Sequence, residues 1–188
     1  MNALHKLALT MCACCIFATT AAASVMTFSG LGPNPVPQFT YTEDLITATN
    51  TEGTFWGYPD GGVLHLDPEF YNNSMYTFTY AGGTPFDLLS FDVTCCGDPF
   101  ANLLLVGLNG NGDPPKILTL NVSAAGTYTF SDWTGLTALS MRNLGDHVSI
   151  DNFTVLPVPE PASWTMMIGG LALAGAAMRR RSAAIGLA

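Results

Sequence analysis

This sequence predicts an all-β fold: an antiparallel β-sandwich of jelly-roll type, followed by a single C-terminal transmembrane helix. Three observations carry that reading. Residues 24–156 divide into short stretches with the two-residue apolar period of half-buried strands. Gly, Pro, Asn and Asp separate those stretches as turn residues do. The last apolar run, Ala162 to Met178, carries no charge and stops at Arg179, Arg180 and Arg181.

The strands follow in order as SVMTFSG, MYTFTYAGG, PFDLLSFDVTCC, ANLLLVGLNGNGD, KILTLNVSAAG, TYTFSDW, LTALSMRN and VSIDNFTVL. Within MYTFTY, Tyr76, Phe78 and Tyr80 share one face and Thr77 and Thr79 the other. Leu89, Phe91 and Val93 align in LSFDV; so do Leu118, Leu120 and Val122 in ILTLNV, and Tyr128 and Phe130 in TYTF. NGNGDPP reads as a hairpin loop and SAAG as a turn. Gly32 to Gln38, with three prolines, reads as a loop, as does Trp56 to Gly62. The opening SVMTF and closing VSIDNFTV are expected at the margins of the domain, paired with one another. Many short strands with such turns pack as two sheets face to face.

The chain has 188 residues, room for one ordinary domain between two unlike ends. Lys6, the apolar run Leu7 to Ala18 and TTAAAS form a secretory signal peptide, residues 1–23, with the cut after Ala23 set by the Ala21-x-Ala23 spacing. Of six Lys and Arg, only Lys116 and Arg142 lie in the body, residues 24–156. The body is therefore more acidic than the whole-chain net charge of −8 indicates. An acidic domain repels phosphate backbones, which excludes nucleic acid as a partner. Of five cysteines, Cys12, Cys14 and Cys15 lie in the signal. Cys95 and Cys96 remain, in an oxidising compartment. The turn residues Gly97, Asp98 and Pro99 leave three states open: a vicinal disulfide, two thiols, or a bond between chains.

Catalytic motifs are missing: no G-x-S-x-G elbow, H-E-x-x-H helix, Walker loop or dinucleotide fingerprint occurs. No catalytic residue and no metal site is expected, and the protein reads as a non-enzyme. His65 and His147 read as turn or strand residues, and HLDPE, with His65, Asp67 and Glu69, as a surface loop broken by Pro68. Asn109, Asn111 and Asp113 have the opening spacing of a calcium loop, but no Glu follows at the required distance, so they read as a hairpin turn. No cofactor is expected; a structural calcium near Asp151 is the one exception left open. Phe55, Trp56 and Tyr58 cluster in EGTFWGYPDGG. Trp56 and Tyr58 are candidates to stack on a sugar ring, against the alternative that Phe55 and Trp56 plug one end of the sandwich. Trp133 reads as core.

The tail begins with a linker, residues 157–161, that Pro157, Pro159 and Pro161 keep extended. Residues 162–178 as a helix would span about 25 Å against a hydrocarbon core of roughly 30 Å. Trp164 stands where an aromatic prefers the interface, and the arginines of residues 179–188 stay cytoplasmic. This predicts one span, with the body outside.

Pro159, Glu160, Pro161, Trp164, Met166, Met167 and the arginines Arg179, Arg180 and Arg181 follow in the order of a known signal. The segment resembles the PEP-CTERM sorting tag in its proteobacterial form, with Trp after PEPxx. Thr165 stands where alanine is usual, and SAAIGLA trails the arginines. The resemblance covers about the last thirty residues. It implies an exosortase, a membrane cysteine protease, as partner, and hosts that make exopolysaccharide. It also implies export, a stay in the inner membrane during processing, and then a place on the envelope surface or in the extracellular matrix, associated with exopolysaccharide or biofilm. The alternative is a carbohydrate-binding module for secreted polysaccharide, led by Trp56 and Tyr58. A secreted hydrolase comes third.

Overall fold

The computed structural model describes residues 21–51, 54–58, 60–66, 75–95, 101–110, 112–145, 147–158 and 167–176. Thr, Tyr, Phe, Val and Leu dominate the body, and their branched or flat side chains suit a pleated, half-buried surface. Among the described residues they form thirteen strands. In chain order these are β1 (Ser24–Met26), β2 (Val36–Pro37), β3 (Thr40–Glu43), β4 (Ile46–Asn50), β5 (Thr54–Phe55), β6 (Leu64–Leu66), β7 (Tyr76–Tyr80), β8 (Phe86–Cys95), β9 (Ala101–Asn109), β10 (Lys116–Val122), β11 (Gly126–Thr129), β12 (Leu136–Asn143) and β13 (Val148–Pro157).

Eleven of them form one nearly closed antiparallel sheet; β2 and β5 make a separate two-stranded ribbon. The ladders divide the large sheet into two layers. One runs β3-β4-β7-β12-β9-β10. The other runs β6-β13-β8-β11, with β1 beside the later half of β13 on the same edge as β6. The Leu136–Phe86 pair joins the layers at a corner. Between them lies the core, in which Phe28, Phe55, Phe78, Phe86, Phe91 and Phe153 are the largest fully buried side chains.

The expected NGNGDPP hairpin forms: β9 and β10 pair from Gly107↔Lys116 to Ala101↔Val122. The expected partnership of the two terminal stretches also forms, with Ser24 opposite Val155 and Met26 opposite Phe153. Their expected marginal position does not hold for β13. It lies inside its layer, between β8 and the β1/β6 edge, because Ile150, Phe153 and Val155 are fully buried and need cover. Part of the Gly32–Gln38 loop is strand, since Val36 and Pro37 pair with Phe55 and Thr54.

The face assigned to Leu89 is corrected. Leu88, Phe91 and Val93 point into the core, and Leu89 does not. Against β13, Ser90 pairs with Thr154 and Leu88 with Val155, so Leu89 is an extra residue on β8. A bulge of this kind shifts the alternation by one position. A second bulge lies on β13, where Asn152 and Phe153 stand against Phe91 alone and Asn152 takes φ 47°. Asn tolerates this left-handed conformation better than most residues.

In the tail, residues 167–176 are helical, with Ile168, Leu171 and Leu173 exposed. The expected span was residues 162–178. No helix among the described residues is long and apolar enough to cross a membrane. Ten described residues reach only about 15 Å at 1.5 Å each, half a hydrocarbon core.

Candidate functional site

Two glycines shape the loop between β5 and β6. A side chain at Gly57 would meet the carbonyl oxygens of Gly32 at 2.7 Å and Leu31 at 2.9 Å. Gly61 has φ +87°, and a Cβ there would meet the Leu31 oxygen at 2.9 Å. The bare backbones approach closely enough for Gly57 N–H to donate to Gly32 O at 3.0 Å and Gly62 N–H to Leu31 O at 2.8 Å. His65 N–H then donates to Trp56 O at 2.7 Å. The loop is thereby folded over β6, and Trp56 and Tyr58 come to lie on His65.

The result is a compact aromatic and imidazole cluster. Ring centroids are 5.1 Å apart for Trp56–Tyr58, 4.8 Å for Trp56–His65 and 5.0 Å for Tyr58–His65. The ring of His147 also lies against His65, with centroids 5.5 Å apart and planes 19° from parallel. Cross-strand pairing puts His65 opposite Ser149, and Nδ1 of His65 lies 2.8 Å from Ser149 Oγ. Ser149 Oγ donates to Tyr58 O at 3.0 Å, and Trp56 Nε1 donates to Pro33 O at 2.7 Å. The expectation of HLDPE as a surface loop is corrected for its first residue. His65 is a strand residue only 2% exposed, because β6 packs against β13 on one side and the Trp56 loop covers the other. Asp67, Pro68 and Glu69 lie outside the described residues.

This arrangement limits the chemistry. Ser149 is 0% exposed and its hydroxyl proton is directed at Tyr58 O, so the Ser149–His65 contact is not a nucleophile and its base. Tyr58, at 42% exposure, is the accessible ring, while Trp56 is half-buried. Phe55 is fully buried and packs edge-on against Tyr76 at 5.4 Å, in keeping with a plug. Sequence reasoning placed Trp56 and Tyr58 together but took the two histidines singly. His65 and His147 are 82 residues apart, and the β6–β13 ladder brings them together.

A second polar group surrounds Glu43. Thr27 Oγ1 at 2.5 Å and Ser29 Oγ at 3.2 Å donate to its Oε1, and Tyr41 OH donates to Oε2 at 3.0 Å. Burial by itself raises the Glu43 carboxyl, but these hydroxyls and the Phe28 N–H outweigh it and hold the group below its ordinary value. Asp151, the residue beside which a calcium was left open, is shifted the other way. Burial raises it, the Asn152 N–H partly offsets that, and the charges of Asp92 and Glu43 add to the rise. Among the described residues no group of three His, Cys, Asp or Glu could hold a metal ion.

A groove of about 500 Å³ is lined by Leu118 and Leu120 of β10, Tyr128 of β11, and Phe130 and Trp133 beyond it. Asn109 ends β9 and Asp113 lies in irregular backbone before β10, while Asn111 lies outside the described residues. Cys95 ends β8; its side chain and Cys96 lie outside them too. So do Pro159, Glu160, Pro161, Trp164, Arg179, Arg180 and Arg181. Ala21 and Ala23 precede β1 in irregular backbone.

Comparison with known proteins assigns the tail directly. Residues 157–181 match the model of the PEP-CTERM protein-sorting motif. No curated protein matches the chain.

Proposed function

From the PEP-CTERM sorting motif at residues 157–181, we propose that this is an exported, non-enzymatic surface or matrix protein associated with exopolysaccharide. The motif itself supports export and handling by an exosortase. In this reading residues 162–178 hold the chain in the inner membrane until processing, with Arg179, Arg180 and Arg181 on the cytoplasmic side. The strand orders β6-β13-β8-β11 and β7-β12-β9-β10 support a jelly-roll body, since consecutive strands from β6 to β9 and from β10 to β13 alternate between the two layers. Mass spectrometry of the C-terminus of protein recovered from its own host tests the sorting. A terminus near Glu160 is expected. An intact arginine-bearing terminus in all recovered protein would overturn processing.

A second reading, carbohydrate binding, draws on the exposed ring of Tyr58 beside Trp56 and on the aromatic groove at Tyr128 and Phe130. Sugar faces are apolar and stack on such rings. Pull-down with the host's own polysaccharide discriminates the two readings: Tyr58→Ala would lower retention at least tenfold if the loop binds sugar, and would leave it unchanged if the protein is a passive matrix component.

A further inference from the structure

We propose that two copies of this chain pair through β10, edge to edge and antiparallel, joining their β3-β4-β7-β12-β9-β10 layers into one continuous sheet. β10 ends its layer: among the described residues it pairs with β9 alone. Its seven residues, Lys116–Val122, contain no proline, glycine or acid. An edge strand of that kind offers a free row of backbone donors and acceptors to another strand, and native edges are commonly blunted by charge or proline. The opposite end of the same layer is blunted in this way, since β3 ends in Glu43 and Asp44 follows it.

Charge points to a second copy as the occupant. Two such acidic bodies repel one another wherever their carboxylates face. None of the chain's 14 acidic residues lies on β9, β10 or β12, whereas both cations of the body, Lys116 and Arg142, do. The other layer carries Asp87 and Asp92 on β8 and Asp151 on β13. The β10 corner is therefore the approach least opposed by charge, and its outer face is apolar: Ile117 is 68% exposed and Leu108 beside it on β9 is 42% exposed.

The strand is also self-complementary. A two-fold axis through Thr119 sets it opposite the partner's Thr119, Leu118 opposite the partner's Leu120, and Lys116 opposite the partner's Val122. Apolar side chains then meet on the inner face, and no like charges meet. Leu118 and Leu120 are only half-buried, as are Tyr128 and Phe130 across the groove of about 500 Å³. The partner's leucines extend that apolar row beside the groove, and such cross-strand pairs are what stabilises a ladder.

Sedimentation of the full-length protein in detergent reads the oligomeric state. A dimer that dissociates on dilution is expected, since one ladder of about 24 Å makes an interface at the small end of specific ones. Thr119→Asp, at an exposed position, sets two carboxylates face to face and should weaken the dimer about tenfold or more, with an unchanged circular dichroism spectrum. Thr119→Cys should give a disulfide-linked dimer under mild oxidation, joined at position 119 by peptide mass. Directly opposed Cα atoms lie about 4.5–5.5 Å apart, within a disulfide's reach. Ser140→Cys, on β12 inside the layer, should give no such bond. A monomer at every concentration, a dimer untouched by Thr119→Asp, or no bond at position 119 would overturn the proposal. A monomer retained on the host's polysaccharide and released by Tyr128→Ala would give the groove to sugar and overturn it as well. None of these outcomes bears on sorting, which the C-terminal mass reads separately.

Discussion

The rings of Phe78 and Phe153 lie 4.3 Å apart between centroids and 18° from parallel, one from each layer of the sheet. Phe78 is on β7 and Phe153 on β13, and both are fully buried. Phe153 reaches this place because the bulge at Asn152 restores its inward direction after Asp151. Truncating either ring leaves a cavity with rigid walls. Phe78→Ala is expected to destabilise the body by about 3–5 kcal/mol. Urea denaturation monitored by fluorescence measures it; a loss below about 1 kcal/mol would mean that the layers do not meet there.

The bulge itself makes a second expectation. At φ 47°, Asn152 occupies a region that costs most L residues roughly 1–2 kcal/mol. Its side chain also donates to Asp92 Oδ2 at 2.8 Å. Asn152→Gly removes the bond but fits the backbone, while Asn152→Val removes the bond and opposes it. The valine variant should therefore be the less stable by about 1–2 kcal/mol in the same denaturation assay. Equal stabilities would contradict the left-handed conformation.

Gly107 sits where β9 passes beneath two large side chains. A Cβ there would come within 2.9 Å of Leu136 Cδ2 and 3.1 Å of Trp133 Cζ3. Leu136 is fully buried and Trp133 nearly so, so either must shift within packed surroundings to make room. Gly107→Ala should cost about 1–3 kcal/mol, read as a lowered melting temperature. A gain in stability, as glycine-to-alanine changes give in open strands, would show that the contact yields.

The two shifted carboxyls make opposite contributions with pH. Glu43 is held low in the folded state, so its contribution is present above the ordinary glutamate value of about 4.3 and is lost as pH falls through the lowered folded value. Glu43→Gln should flatten the stability curve in that acidic window. Asp151 is raised, so the folded state binds its proton more tightly, and ionisation opposes folding as pH rises past the ordinary aspartate value. Asp151→Asn should therefore stabilise the protein at pH 7 and lose that advantage in strong acid. Melting curves from pH 2 to 8 check both signs, since a stabilised Glu43→Gln or a destabilised Asp151→Asn at pH 7 would reverse them.

Much of the strand content was legible because a half-buried strand writes its burial into alternate residues. Tyr76 and Phe78, and Leu118 and Leu120, face as their spacing indicates, and Trp133 is core as its size indicates. Leu89 was misread because a bulge depends on the partner strand, and no local pattern in LLSFDV marks which leucine is the extra one. The interior place of β13 was missed for the same reason, since a strand's neighbours are chosen by distant segments. Trp56 and Tyr58 were legible as a pair because they are close in sequence. His65 and His147 were not, and no short-range signal could have joined them.

Alone, the order of residues determined the sorting tag, the acidic body and the β class, because each is a property of composition or of near neighbours along the chain. Only tertiary structure decided which residues face one another. The meeting of His65, His147 and Ser149 follows from a ladder between segments more than eighty residues apart, and its energetics are set by burial of both layers at once.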